Sequence, residues 1–127
     1  MRLVERLKEH SEELGKGVHK KLVRDLEARL DITLPEDFKE YLYELNYAAI
    51  FGDPIYGINP DDEMFDIYSQ NKSKEHFRYG FLEIFANDID GTIYIRPDTG
   101  AVYNSDFGEP IAKSFTEFVE ILLRQGS

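Results

Sequence analysis

The chain has no cysteine. That excludes a disulfide framework, a thiolate metal site and a cysteine nucleophile, and nothing in it asks for an oxidising compartment. Long apolar runs are also missing, and none approaches the roughly 18 residues of a membrane span. The opening MRLVERLKEH spreads charge where a signal peptide would carry a continuous apolar segment, so the cytoplasm is the expected location. Histidine is confined to His10, His19 and His76, without an H-x-x-x-H or HExxH pair, so zinc has no ligand set. No G-x-S-x-G elbow is present to activate a serine. No G-x-x-x-x-G-K-[ST] or G-x-G-x-x-G loop is present to cradle phosphate. No cofactor is implied. Cations are in short supply too: 15 Lys/Arg against 25 Asp/Glu leave a net charge of −10, the wrong sign for neutralising nucleic-acid phosphates.

What is present suits a packed globule. The 127 residues are near the common size of one domain, and a 42% hydrophobic fraction with 13% aromatics argues against disorder. The charge is uneven. Residues 1–30 carry eight Lys/Arg against six Asp/Glu, or +2, whereas residues 31–127 carry seven against nineteen, or −12. An acidic body of this kind favours solubility, and it would steer a basic protein partner toward itself.

Apolar spacing predicts helices over the first 30 residues, with a break at Gly15-Lys16-Gly17. One stripe holds Leu3, Val4, Leu7 and Leu14, and a second holds Val18, Leu22, Leu26 and Leu30. In DITLPEDFKEYLYEL, the proline and the acids after it open a helix whose core face is Phe38, Tyr41, Leu42 and Leu45. AAIFG and IYGIN read as two strands, or as a strand and a bend, separated by Asp53-Pro54 and followed by a helix through MFDIYSQNKSKEHF. FLEIFAN, GTIYIRP and AVYNSD read as strands separated by DIDG and PDTG turns. SFTEFVEILLRQ closes the chain as a helix with Ser114 and Glu117 spaced as a capping box and Phe115, Phe118, Val119 and Leu122 facing inward. The order predicts an α+β fold, a central antiparallel sheet flanked by helices, in one domain over 1–127 with residues 1–16 as an N-terminal helical extension.

The run ANDIDG tests a calcium reading. With Gly91 at loop position 6, Asp88 and Asp90 fall on ligand positions, but Ala86 and Pro97 occupy positions 1 and 12 and cannot ligate. Asp90-Gly91 as a two-residue hairpin turn is the better reading. No carboxylate pair stands out as an acid–base couple among 25 acids. The remaining candidate is a surface. DPIYGINPDDEMFD carries Asp53, Asp61, Asp62, Glu63 and Asp66 among Tyr56, Met64 and Phe65, a mixture suited to a basic partner. The alternative is that Asp61 to Glu63 favour the dipole of a helix starting near Met64, while Tyr56 and Phe65 are core.

These elements resemble the SMI1/KNR4 superfamily, also called SUKH. The resemblance lies in LPEDFKEYL at 34–42, IFG at 50–52 followed by IYGIN, FLEIFANDIDGTIYI, TGAVY at 99–103 and SFTEFVE at 114–120. It runs from about residue 18 to 124, with one departure: Asn46-Tyr47 stands where the family usually has Asn-Gly. The resemblance implies a non-catalytic α+β domain and, for a small acidic chain, an immunity protein that blocks a cognate toxin of a polymorphic toxin system, often a nuclease. The contact would be made by the acidic loop at 53–66, and secondarily by Asp88 and Asp90 and by Asp106 and Glu109, with Tyr56 as an anchor. A regulatory or scaffold module that binds host proteins is the alternative. Neither nucleic acid nor a membrane is an expected partner.

Overall fold

A computed structural model describes residues 2–11 and 13–125. Among them are helices α1 (Leu3–His10), α2 (Lys20–Leu30), α3 (Glu36–Glu44), α4 (Ile67–Asn71), α5 (Glu75–Arg78) and α6 (Phe115–Gln125). The strands are β1 (Ala49–Ile50), β2 (Asp53–Pro54), β3 (Leu82–Asn87), β4 (Gly91–Ile95) and β5 (Val102–Asn104). The fold is α+β, as expected from the sequence. The single central sheet resolves into two, the hairpin β1–β2 and the antiparallel meander β3–β4–β5.

The stripes predicted for α3 and α6 are all buried: Phe38, Tyr41, Leu42 and Leu45, and Phe115, Phe118, Val119 and Leu122. Phe38 meets Phe115 edge-on at 4.9 Å, and Phe118 meets Phe85 of β3 at 6.0 Å. The final helix is thereby joined to both α3 and the sheet. Asp37 caps α6 across the interface, its carboxylate accepting from Thr116 N–H (2.9 Å) and hydroxyl (2.8 Å). Ser114 Oγ accepts from Glu117 N–H at 3.1 Å, as the capping spacing predicts. Leu3, Val4 and Leu7 of α1 join the same core.

The N-terminal reading needs correction. Helix α1 ends at His10, and backbone bonds run from Gly15 N–H to Tyr47 C=O (2.8 Å) and from Gly17 N–H to Leu45 C=O (2.9 Å). Side chains would forbid this approach, since a Cβ on Gly15 would lie 2.3 Å from Leu45 O and one on Gly17 2.1 Å from Tyr43 O. Leu14 is left exposed there. In α2 the buried face is Val23, Leu26 and Leu30, and Leu22 is exposed. A spacing of four advances about 400°, so such a line drifts around the helix, and Val23 takes the inward position.

The predicted helix over MFDIYSQNKSKEHF is three pieces: a 3₁₀ turn (Glu63–Phe65), α4 and α5. Asp66 caps α4 and so starts it at Ile67, and Ser73, with φ 61°, separates α4 from α5. Asp53-Pro54 is not the break after AAIFG. It is β2, and the turn is Phe51-Gly52, whose φ values of 51° and 88° are those of a type I′ hairpin. The β3–β4 loop is three residues long, because Asn87 pairs with Gly91 across it and Gly91 opens β4.

Candidate functional site

The segment after β2 is irregular backbone held by side-chain amides. Asn46 ends α3 in the left-handed conformation, φ 56°, and there grips both backbone groups of Ile58: Oδ1 accepts its N–H (2.8 Å) and Nδ2 donates to its C=O (3.0 Å). Gly57 passes so close that a Cβ would lie 2.1 Å from Asn46 O. Asn71, fully buried, does the same for Glu83 at the free edge of β3. Its Oδ1 accepts the Glu83 N–H (2.7 Å) and its Nδ2 donates to the Glu83 C=O (3.0 Å) and to Ile67 C=O (2.8 Å). The register shift between Glu83 and Phe85 leaves Ile84 unpaired with β4, and its C=O accepts from Tyr56 N–H at 2.9 Å. IYGIN therefore lies beside β3 without forming a strand. The edge of the meander is closed by one side-chain amide and one backbone bond.

On the outer face, Glu83, Tyr94 and Tyr103 are cross-strand neighbours. Tyr56 donates its hydroxyl to Glu83 Oε2 at 2.7 Å, and burial, then this bond, push the phenol well above its ordinary value. His76 lies against the Tyr94 ring at 5.0 Å, and burial lowers its imidazole. It is therefore neutral at pH 7 and donates from Nε2 to Asn71 Oδ1 (3.0 Å). Phe81 contacts Tyr94 and Tyr103, and Phe107 lies 4.5 Å from Phe81 and 4.8 Å from Tyr94. This aromatic face was not singled out in the sequence, although the alternation in GTIYI carried the signal.

The acids named from the sequence are sorted by their surroundings. Asp66 is buried and fully engaged, Oδ1 accepting from Asn59 N–H (2.8 Å) and Oδ2 from Ser69 N–H (3.0 Å) and hydroxyl (2.8 Å). Tyr56 is buried as well, and Phe65, half-buried, packs against the core with its ring 6.4 Å away. The helix-start alternative for Asp61 to Glu63 is met in part: a 3₁₀ turn opens at Glu63 with Asp62 at its N-cap position, while the α-helix begins only at Ile67. Asp66 does the capping, Asp62 makes no side-chain cap, and all three acids are exposed. Burial, then a hydrogen bond from its hydroxyl to Glu13, and then the charges of Glu13 and Asp62 raise the Tyr47 phenol. Asp53, Asp88 and Asp90 line a different groove, between the two hairpin tips. Asp106 and Glu109 are exposed on the loop after β5.

The arrangement can hydrogen-bond and present charge. Among the described residues, no group of three or more His, Cys, Asp or Glu could hold a metal ion. Nor is any helix among the described residues long and apolar enough to cross a membrane. Against known families, the model of the SMI1 / KNR4 family (SUKH-1) matches residues 17–121. The chain belongs to the SMI1/KNR4 (SUKH-1) family. This is a family known for immunity proteins and generally non-catalytic, and its members typically bind partner toxins. No curated protein matches the chain. The SUKH-1 match begins at residue 17, yet α1 ahead of it packs against α3 and α6. At Asn46-Tyr47, where the sequence departs from the resemblance, Asn46 itself adopts the left-handed angle and uses its amide to hold Ile58.

Proposed function

We propose that this SUKH-1 chain is a cytoplasmic immunity protein that binds a cognate bacterial toxin, a basic nuclease domain, and neutralises it by occupation without catalysis. The observation that carries the reading is a set of uncompensated carboxylates. Among the described residues, no Lys, Arg or His nitrogen lies within 4.0 Å of Asp53, Asp61, Asp62, Glu63, Asp88, Asp90, Asp106 or Glu109. Their field is free to act on a partner. A nuclease active site is built to bind phosphates, and carboxylates on loops offer it the same sign of charge.

The test is co-expression with the gene immediately upstream. If that gene encodes a toxin domain, the chain should restore growth and co-purify with it at one to one. Absence of protection would defeat the proposal. Recovery of a housekeeping complex, with no toxin encoded nearby, would select the regulatory or scaffold alternative. With a partner in hand, the triple substitution of Asp61 and Asp62 by Asn and Glu63 by Gln should slow association roughly three- to tenfold at low salt, with the difference fading as salt rises. An association rate independent of both salt and these substitutions would remove loop 61–63 from the interface.

A further inference from the structure

We infer that the groove between the two hairpin tips docks a segment of the protein partner that presents an apolar side chain flanked by lysine or arginine. This deepens the functional reading above and rests on it for the existence of a basic partner. The β1–β2 turn holds Phe51 62% exposed and the β3–β4 loop holds Ile89 91% exposed. Turn tips are ordinarily given to Gly, Asn, Asp and Ser. Phe51 moreover sits at φ 51°, a conformation that bulky side chains avoid. Both tips line one groove of 440 Å³, whose floor includes the buried side chains of Ile50, Phe85 and Leu122. That volume suits one or two side chains of a docked segment.

The charge of the rim chooses the occupant. Asp53, Asp88 and Asp90 line the groove, and among the described residues no cation does. Asp90 is held in place by Asn87, which donates to its carboxylate at 3.0 Å. A second copy of the chain would bring the same three acids, and an anionic membrane would bring its own negative charge, so both are repelled. A segment with an apolar residue between basic ones satisfies floor and rim together.

The test has two arms. In the first, the capped peptides Arg-Leu-Leu-Arg and Glu-Leu-Leu-Glu are titrated into the labelled chain at low salt and followed by NMR. The basic peptide should shift the amides of Phe51, Gly52, Ile89 and Gly91, and the acidic one should not. Equal responses, or shifts confined to other surfaces, would overturn the inference. In the second arm, Phe51→Asn combined with Ile89→Ser should weaken binding of the co-purified toxin domain by about tenfold or more. The melting temperature should hold, because Phe51→Asn supplies the Asn-Gly pair that type I′ turns favour. Unchanged affinity would overturn the groove while leaving the immunity reading intact. Failure to protect against any toxin would sink that reading, and the peptide arm would still decide the groove.

Discussion

Replacing Asn71 by alanine should destabilise the chain far more than an average substitution, and the cause can be followed atom by atom. The Asn71 amide makes four hydrogen bonds, to Ile67 C=O, Glu83 C=O, Glu83 N–H and His76 Nε2. Ile67 keeps its place in the helix and His76 can turn toward solvent, so the lasting loss falls on the two backbone groups of Glu83. An orphaned buried donor or acceptor costs about 1–3 kcal/mol. Because these groups are only partly buried, the lower half of that range applies to each, giving about 3 kcal/mol in all. At roughly 2.1 cal/mol/K per residue, a chain of 127 residues should then melt about 10 °C lower.

Urea unfolding with an unchanged m-value measures the free energy, and hydrogen exchange at the Glu83 amide measures the cause. A loss below about 1 kcal/mol, with Glu83 still protected, would show that the edge of β3 does not depend on this side chain. Asn71→Asp adds a check on sign. It sets a carboxylate against two carbonyls, so its folded-state pKa rises above the unfolded value. Its deficit relative to the parent should grow as pH rises from about 4 through the folded pKa, whereas the alanine deficit should change only below about pH 6.5, where burying His76 costs stability in the parent alone.

His76 titrates in the opposite sense. Burial lowers its folded pKa below the ordinary value of 6.5, so the unfolded chain binds the extra proton first and stability is lost as pH falls below about 6.5. His76→Gln should flatten that part of the melting-temperature profile between pH 7.5 and 5, and an unaltered slope would assign it elsewhere. Asp37→Ala removes the cap of α6 and should cost about 1–2 kcal/mol in urea unfolding. A loss under about 0.5 kcal/mol would mean that Thr116 finds water equally well. Gly57→Ala forces a Cβ against the Asn46 carbonyl and should cost at least about 1–3 kcal/mol, as overpacking does. A neutral result by thermal melting would mean that the Asn46–Ile58 grip yields without loss.

The parts of this fold that were legible in the sequence are those in which one period governs a long run. In α3 and α6 the apolar stripe, the acidic or capped start and the length all point the same way, and every named core position is buried. The meander was legible because its turns carry Gly and Pro where the chain reverses. The stretches that misled owe their shape to partners distant in sequence. Leu14 and Val18 were read onto helical stripes on either side of a break at 15–17, yet the whole of 13–18 extends along 42–49, because Gly15 and Gly17 allow backbone to touch backbone. IYGIN looks like a strand, yet it is laid down by Asn46 and by the bulge at Ile84, neither of which local propensity encodes. The candidate surface was legible as composition only. Nothing in DPIYGINPDDEMFD distinguishes Asp66, which is consumed as a cap, from Asp61, which faces water.

That distinction separates the carboxylates that serve folding from those that face water. Two cations of the N-terminal segment pair with helix carboxylates: Arg2 with Glu40 and with Glu44 (2.7 Å), and Arg6 with Glu120 (2.8 Å). Arg96 is spent on Asp98 at 3.0 Å. Carboxylates that serve folding, Asp37 and Asp66, are satisfied by backbone and hydroxyl donors and need no cation. The unpaired carboxylates at 61–63, 88–90 and 106 lie on loops held by hydrogen bonds: Asn46 and Asp66 beneath 58–63, Asn87 within 88–90, and Asn104 Oδ1, which accepts from Asp106 N–H. Anchored loops lose little entropy on binding, so charge displayed on them can translate into affinity as well as rate. A mobile acidic tail of the same composition would supply rate alone. Stiff acidic loops on a sheet are what a protein needs if it must hold a basic site closed, and this bears on the proposed inhibition more directly than the net charge does.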